Sequence, residues 1–189
     1  MSHQLSDVRV AILVAHGFEQ SELLEPRKAL DEAGATTHIV SPESGTVKGW
    51  NQTDWGETVD VDVALDKAKA DDYDALLLPG GVMNPDTLRA NRTATDFVRA
   101  FFVDGKPVAA ICHGPWTLID AGVASGRRMT SYHTIKTDLM NAGVRWEDSE
   151  VVVDQGLVTS RNPNDLPAFN AKMKEEFAEG AHKLQAVSA

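Results

Sequence analysis

A chain of 189 residues, 42% hydrophobic and 24% charged, is long enough for one domain with a core that needs neither disulfide nor metal. A formal charge of -10 argues against a nucleic-acid partner, whose phosphates are bound mainly through Lys and Arg. One cysteine permits no internal disulfide, and the opening MSHQLSDVRVAILVAHG has neither a cationic leader nor an apolar run long enough for a membrane. The expectation is a cytoplasmic protein with no membrane partner.

Short β-rich runs alternate with helical stretches. VRVAILVA reads as a buried strand, and SELLEPRKALDEAG as a helix with apolar residues at helical spacing and a closing glycine. TTHIVS is a strand, and TVKGWNQTDWGETVDVDVAL alternates like a small hairpin. DALLLPGG is a strand ending in a turn, PDTLRANRTATDFVRAFFVDG a helix, and KPVAAICHG another strand. PWTLIDAGV reads as a short helix, RRMTSY as a strand and IKTDLMNAG as a helix. RWEDSEVVVDQGLVTS reads as a hairpin, and NDLPAFNAKMKEEFAEGAHKLQA as a terminal helix. No repeat, low-complexity tract or linker divides residues 1–189, so they read as one α/β domain. It is expected to be a three-layer sandwich with a mostly parallel sheet. Ligands in such sheets bind beyond the carboxyl ends of the strands, where AHGFEQSE, LPGGVMNPD and ICHGP all fall.

Cys112 follows an apolar strand and precedes a helix opened by Gly114-Pro115. Helix dipole and free backbone N–H groups there favour the thiolate, whereas a plain core cysteine would be inert. The corner parallels a nucleophile elbow without its first glycine. Glu19 follows the first strand at the same sheet edge. Beside a thiolate it should hold the proton of the pair and donate it to sulfur; alone, it would simply cap the next helix. Gly80-Gly81 allows close backbone approach, and the N–H groups of Gly81 and His113 together could hold an oxyanion. The alternative is a plain tight turn. His133 falls near the site's rim, His16 at a loop, and His3, His38 and His182 at surface or edge positions. No grouping of His, Cys and carboxylates has metal-ligand spacing, so no metal or other cofactor is expected. The four tryptophans read as packing residues, with Trp116 placed to wall the site.

Together FEQSEL, YDALLLPGG, GKPVAAICHGP, LIDAGV, TSYHTIKTDLMNAG and VVVDQGLVTSRNPNDL resemble the ThiJ/PfpI family of the DJ superfamily, nearest its intracellular-protease-like branch. The resemblance implies a class I glutamine-amidotransferase-like (flavodoxin-like) fold, with Cys112 as nucleophile and Glu19 as the acid bonded to its sulfur. His113 is then the base, and Asp86 an orienting acid reaching a neighbouring subunit's site, so a homodimer or larger homo-oligomer is implied. Adjacent strand residues point to opposite faces, so His113 serves Cys112 only if the chain bends there. The activity implied is that of a stress-associated cysteine hydrolase or lyase on carbonyl or peptide substrates, peptidase-like or deglycase/glyoxalase-like. A redox sensor or stress-protective protein that oxidises Cys112 to sulfinate uses the same site. Glutamine amidotransfer fits less well, because SRNPNDLPAF supplies no distant His and Glu.

Overall fold

The computed structural model describes residues 4–183 and residue 185. Strand β1 (Arg9–Leu13) lies inside the main sheet, and a two-residue β2 (Phe18–Glu19) runs directly into helix α1 (Gln20–Glu32). Next come β3 (Thr36–Ser41), the hairpin β4 (Thr46–Asn51) and β5 (Asp54–Asp60), and β6 (Val63–Ala64). After β7 (Ala75–Leu78) come two helices, α2 (Met83–Arg89) and α3 (Arg92–Val103), and then β8 (Val108–Ile111) and α4 (Pro115–Asp120). The chain continues through β9 (Arg128–Met129), α5 (Lys136–Asn141), β10 (Arg145–Trp146), β11 (Val152–Asp154), β12 (Leu157–Ser160) and α6 (Leu166–Glu179).

Among the described residues seven strands form the main sheet in the order β11-β12-β8-β7-β1-β3-β6, parallel except for the β11–β12 hairpin. Side-chain alternation along β1 separates two cores. Val10 and Ile12 pack with Leu23, Leu30, Phe169, Met173 and Phe177 of α1 and α6. Ala11 and Leu13 face the other layer, with Leu88, Phe97, Phe101, Phe102, Leu118 and Leu139 from α2 to α5. This is the expected α/β sandwich. Phe18, Phe101, Phe102 and Phe169 have no exposed surface, and each such side chain stabilises by about 1.5–3 kcal/mol.

Three expectations shift. The single helix expected over PDTLRANRTATDFVRAFFVDG is two, because Asn91 takes an extended conformation and its side chain caps the Ala94 N–H at 3.2 Å. RRMTSY forms only β9, which pairs in parallel with β10, so Arg145–Trp146 does not join the β11–β12 hairpin. Helix α6 stops at Glu179, where Gly180 adopts φ 77°. His3 and the last residues of the expected terminal helix, Leu184 and Ala186, lie outside the described residues. Among the described residues no helix is long and apolar enough to cross a membrane.

Candidate active site

Strand β8 is buried along its whole length and delivers Cys112 to the carboxyl edge of the sheet. Cys112 has φ 62°, a left-handed backbone that costs a residue with a Cβ on the order of 1–3 kcal/mol. The surroundings enforce it. Its N–H donates to Ser160 O at 3.0 Å, and its carbonyl accepts from Tyr132 N–H at 2.9 Å. This bend meets the condition for His113 to work with its neighbour: Nδ1 lies 3.2 Å from Cys112 Sγ.

The imidazole of His113 is held from every side. It stacks on Tyr132 at 4.9 Å, meets the edge of Trp116 at 5.1 Å, and its Nε2 lies 3.3 Å from Thr134 Oγ1. Burial first, then the neighbouring His133, pull its pKa down to about 4, so the ring is uncharged at neutral pH. Trp116 backs the imidazole and is not among the residues lining the cavity at Cys112, and its indole N–H is tied to Asp138 at 2.8 Å.

The carboxyl that faces the sulfur belongs to Glu22, and this corrects the expectation for Glu19. Glu19 is the residue before α1, extended at φ -64° and ψ 119°, and its side chain makes no capping bond. It lines the cavity but leaves the sulfur to a residue one helical turn later. Glu22 lies on the buried stripe of α1 with Leu23, Pro26 and Leu30. Its carboxyl faces the Cys112 thiol and the amides of Gly80 and Gly81, yet neither oxygen completes a well-aligned hydrogen bond. Burial, with the charge of Glu19 adding to it, raises Glu22 to about 8, so it carries a proton at neutral pH.

The thiol also departs from expectation. Burial pushes Cys112 up, and an ionised Glu22 would push it further; the Gly81 and His113 amides pull the other way. The free enzyme therefore holds a thiol. The helix-terminus argument, taken alone, had favoured a thiolate.

The Pro79-Gly80-Gly81 turn closes the site. A Cβ on Gly80 would collide with Glu22 Oε2 and come within 2.6 Å of Cys112 Cβ, so only glycine lets the acid and the thiol meet. Gly81 has φ 76°, and its amide faces the sulfur beside that of His113. Buried Asn84 braces the turn: its amide donates to Pro79 O and Gly80 O, both at 3.0 Å, while Oδ1 accepts from Ala15 N–H at 2.7 Å. On the far side, Arg161 grips Asp165 through two nitrogens at 2.9 Å and fixes the 162–164 wall.

Cys112 opens into a cavity of ≈ 310 Å³ bounded by Glu19, Trp50, Gln52, Tyr132 and Pro163, which adjoins a recess of ≈ 460 Å³ lined by His133 and Asn162. His133 thus sits at the rim, as expected. His16 is on the surface, accepting from Lys48 N–H at 3.0 Å, and His38 packs on Tyr73 at the sheet. Asp86 is exposed on α2, and among the described residues it makes no hydrogen bond to His113. Glu22, Asn84 and Thr134 were missed by sequence reasoning. For Glu22 a signal existed: a carboxylate in register with Pro26 and Leu30 on an apolar helix stripe.

The profile of the DJ-1/PfpI family matches residues 8–176. The chain is 48% identical over 162 residues to "Deglycase PH1704" of Pyrococcus horikoshii, covering 86% of this chain and 95% of that one. It is 48% identical over 164 residues to "General stress protein 18" of Bacillus subtilis, covering 86% and 93%. The crystal structure of Drosophila melanogaster DJ-1beta superposes with a TM-score of 0.83 at 29% identity, covering 95% of this chain and 93% of that one. With its thiol elbow, its mostly parallel sheet and a match running from the first strand into the last helix, the chain belongs to the DJ-1/PfpI family.

Proposed function

We propose that the chain is a cysteine-dependent deglycase-like enzyme acting on carbonyl adducts of amines, with Cys112 as nucleophile. One observation carries the reading. Cys112 Sγ sits 3.2 Å from an uncharged imidazole nitrogen, at the floor of a cavity with a protonated carboxyl behind it. Sulfur attacks the carbonyl carbon as its proton passes to His113 Nδ1, forming a C–S bond while the C=O π pair moves onto oxygen. The Gly81 and His113 amides stabilise that oxyanion, and Glu22 keeps its proton and donates toward sulfur. The neighbouring carbinol then gives up its O–H proton and becomes C=O as its C–N bond breaks, and the imidazolium proton goes to the departing amine; collapse of the oxyanion breaks the C–S bond, releasing the dicarbonyl and returning the carbinol's proton to sulfur. The names carried by relatives, a deglycase and a general stress protein, support this choice within the family.

Asp86 belongs to the proposal as a residue reaching a neighbouring copy's site. It lies on α2, whose capping residue Val82 and first residue Met83 are both exposed, an apolar edge suited to a second copy of the chain. The cytoplasm suits a lone thiol that has no disulfide partner.

The test is turnover by wild type and Cys112→Ser on methylglyoxal-modified amines, free methylglyoxal and unmodified peptides, side by side. Release of the amine by wild type, reduced roughly a hundredfold or more in Cys112→Ser, is expected. Equal rates for the two proteins would refute cysteine catalysis. Faster cleavage of peptides than of adducts would refute the substrate class.

A further inference from the structure

At the opposite end of the sheet's α6 layer the fold assembles ligand-type side chains where the sequence reading expected none. We infer that Glu176, Glu179 and His182 form a binding site for a divalent transition-metal cation of the zinc class.

Glu176 and Glu179 stand three residues apart on the last turn of α6, on one face of the helix. Gly180 then reverses the chain, and His182 folds back over that turn. Its main chain is anchored at both ends: the N–H donates to Gly105 O at 2.7 Å, and the carbonyl accepts from Gln185 N–H at 2.9 Å. Its ring rests on the β11–β12 turn, where a Cβ at Gly156 would come within 2.8 Å of His182 Cδ2.

The spacing is that of a coordination sphere. His182 Nε2 lies 3.3 Å from Glu176 Oε2 and 3.7 Å from Glu179 Oε2, and all three ligand atoms fall within 4.8 Å of one another. Tetrahedral zinc, with bonds of about 2.0–2.1 Å, holds its ligand atoms about 3.4 Å apart. A second observation points the same way. Glu176 is only 7% exposed, and its Oε2 and His182 Nε2 are both buried without a hydrogen-bond partner. A simple Glu–His pair would join those two atoms by an N–H···O bond, and the geometry does not make it. One imidazole and two carboxylates suit zinc, nickel or copper(II) better than calcium or magnesium, which prefer all-oxygen shells. Such an ion would pin the segment after α6 to the helix and, through Gly105, to the turn before β8.

The probe is Zn²⁺ alone, titrated by calorimetry into the full chain carrying Cys112→Ser, so that the thiol cannot compete. One saturable equivalent is expected, weakened about tenfold or more by Glu179→Gln and by His182→Ala. Glu179 is exposed, so its amide variant tests the site without burdening the fold. Co²⁺ in place of Zn²⁺ should give a tetrahedral visible spectrum that His182→Ala abolishes. Absence of saturable binding up to millimolar Zn²⁺, or an affinity left unchanged by either substitution, overturns the inference. Turnover in a Cys112-intact Glu179→Gln protein should match wild type, which separates this site from the thiol.

Discussion

Replacing Glu22 by Gln keeps the size and a neutral donor but removes the titrating proton, so it isolates what that proton does. The folded pKa of about 8 lies above the ordinary value of 4.5, so the native state retains a proton that the unfolded chain releases. Its contribution to stability is complete below the unfolded value and is lost as pH climbs through about 8. The full difference corresponds to about 5 kcal/mol, and in the intervening range the slope is about 1.4 kcal/mol per pH unit. From pH 5.5 to 7.5 wild type should therefore lose about 3 kcal/mol that Glu22→Gln keeps. His113 works in the opposite sense. Its pKa is lowered to about 4, so its neutral native form gains stability as pH rises past that value toward 6.5. That contribution is common to both proteins and cancels in their difference. Urea unfolding at several pH values measures the difference, which should appear as a midpoint shift on the order of 1 M. Parallel stability curves for the two proteins would mean that Glu22 is ionised in the native state, and the assignment of the proton would fall.

Gly80→Ala drives a methyl group into Glu22 and Cys112, and should cost about 1–3 kcal/mol by thermal or urea unfolding while depressing thiol alkylation. Thr134→Val removes the contact to His113 Nε2, and should lower kcat about 2- to 10-fold with KM unchanged; a change in KM alone would contradict a positioning role. Light scattering at micromolar concentration should give a dimer or larger. A monomer, or an Asp86→Ala protein with wild-type turnover, would remove Asp86 from the site. Graded peroxide followed by intact mass and peptide mapping should add two oxygens at Cys112, slowly because the resting thiol is un-ionised, and without a disulfide because with one cysteine a sulfenate has no internal partner. Methionine oxidation with Cys112 untouched would show the thiol to be sealed off.

The parallel sheet and the three loops at its carboxyl edge were legible because they rest on periodicity and on glycine and proline punctuation. The site's acid was not, for a reason the two glutamates make concrete. Glu19 breaks an apolar pattern at a strand end, which is where a linear reading looks for function. Glu22 is hidden inside a helix, three residues on, and only the helical turn swings it from the chain's surface to the layer beneath Gly80. Asn84 and Thr134 were equally invisible: their bonds cross 69 and 21 residues of sequence, to Ala15 and His113. Asn91 shows the same limit at the level of elements. Its cap interrupts a helical pattern whose apolar spacing runs on unbroken.

The charge state of the resting site bears on how it could work. A left-handed Cys112 and a carboxyl without aligned partners are each unfavourable for folding, and they sit beside a buried imidazole held in its uncharged form. Four separate segments hold them there: the β8 elbow, the start of α1, the Gly80 turn braced by Asn84, and the Tyr132 loop. With Glu22 protonated, the thiol unionised and His113 neutral, no net charge lies at the sulfur before substrate arrives. In the proposed reaction charge appears only as sulfur attacks, in a low-dielectric pocket whose amides already point at it, so the stabilisation would fall on the transition state and not on the free enzyme. A permanently ionised thiolate in the same place would repel ionised Glu22 and invite oxidation between turnovers. On this reasoning Glu22 both delays the charge and receives the sulfur when it comes. Reaction rate should accordingly decline as Glu22 loses its proton near pH 8, and Glu22→Gln should abolish that decline.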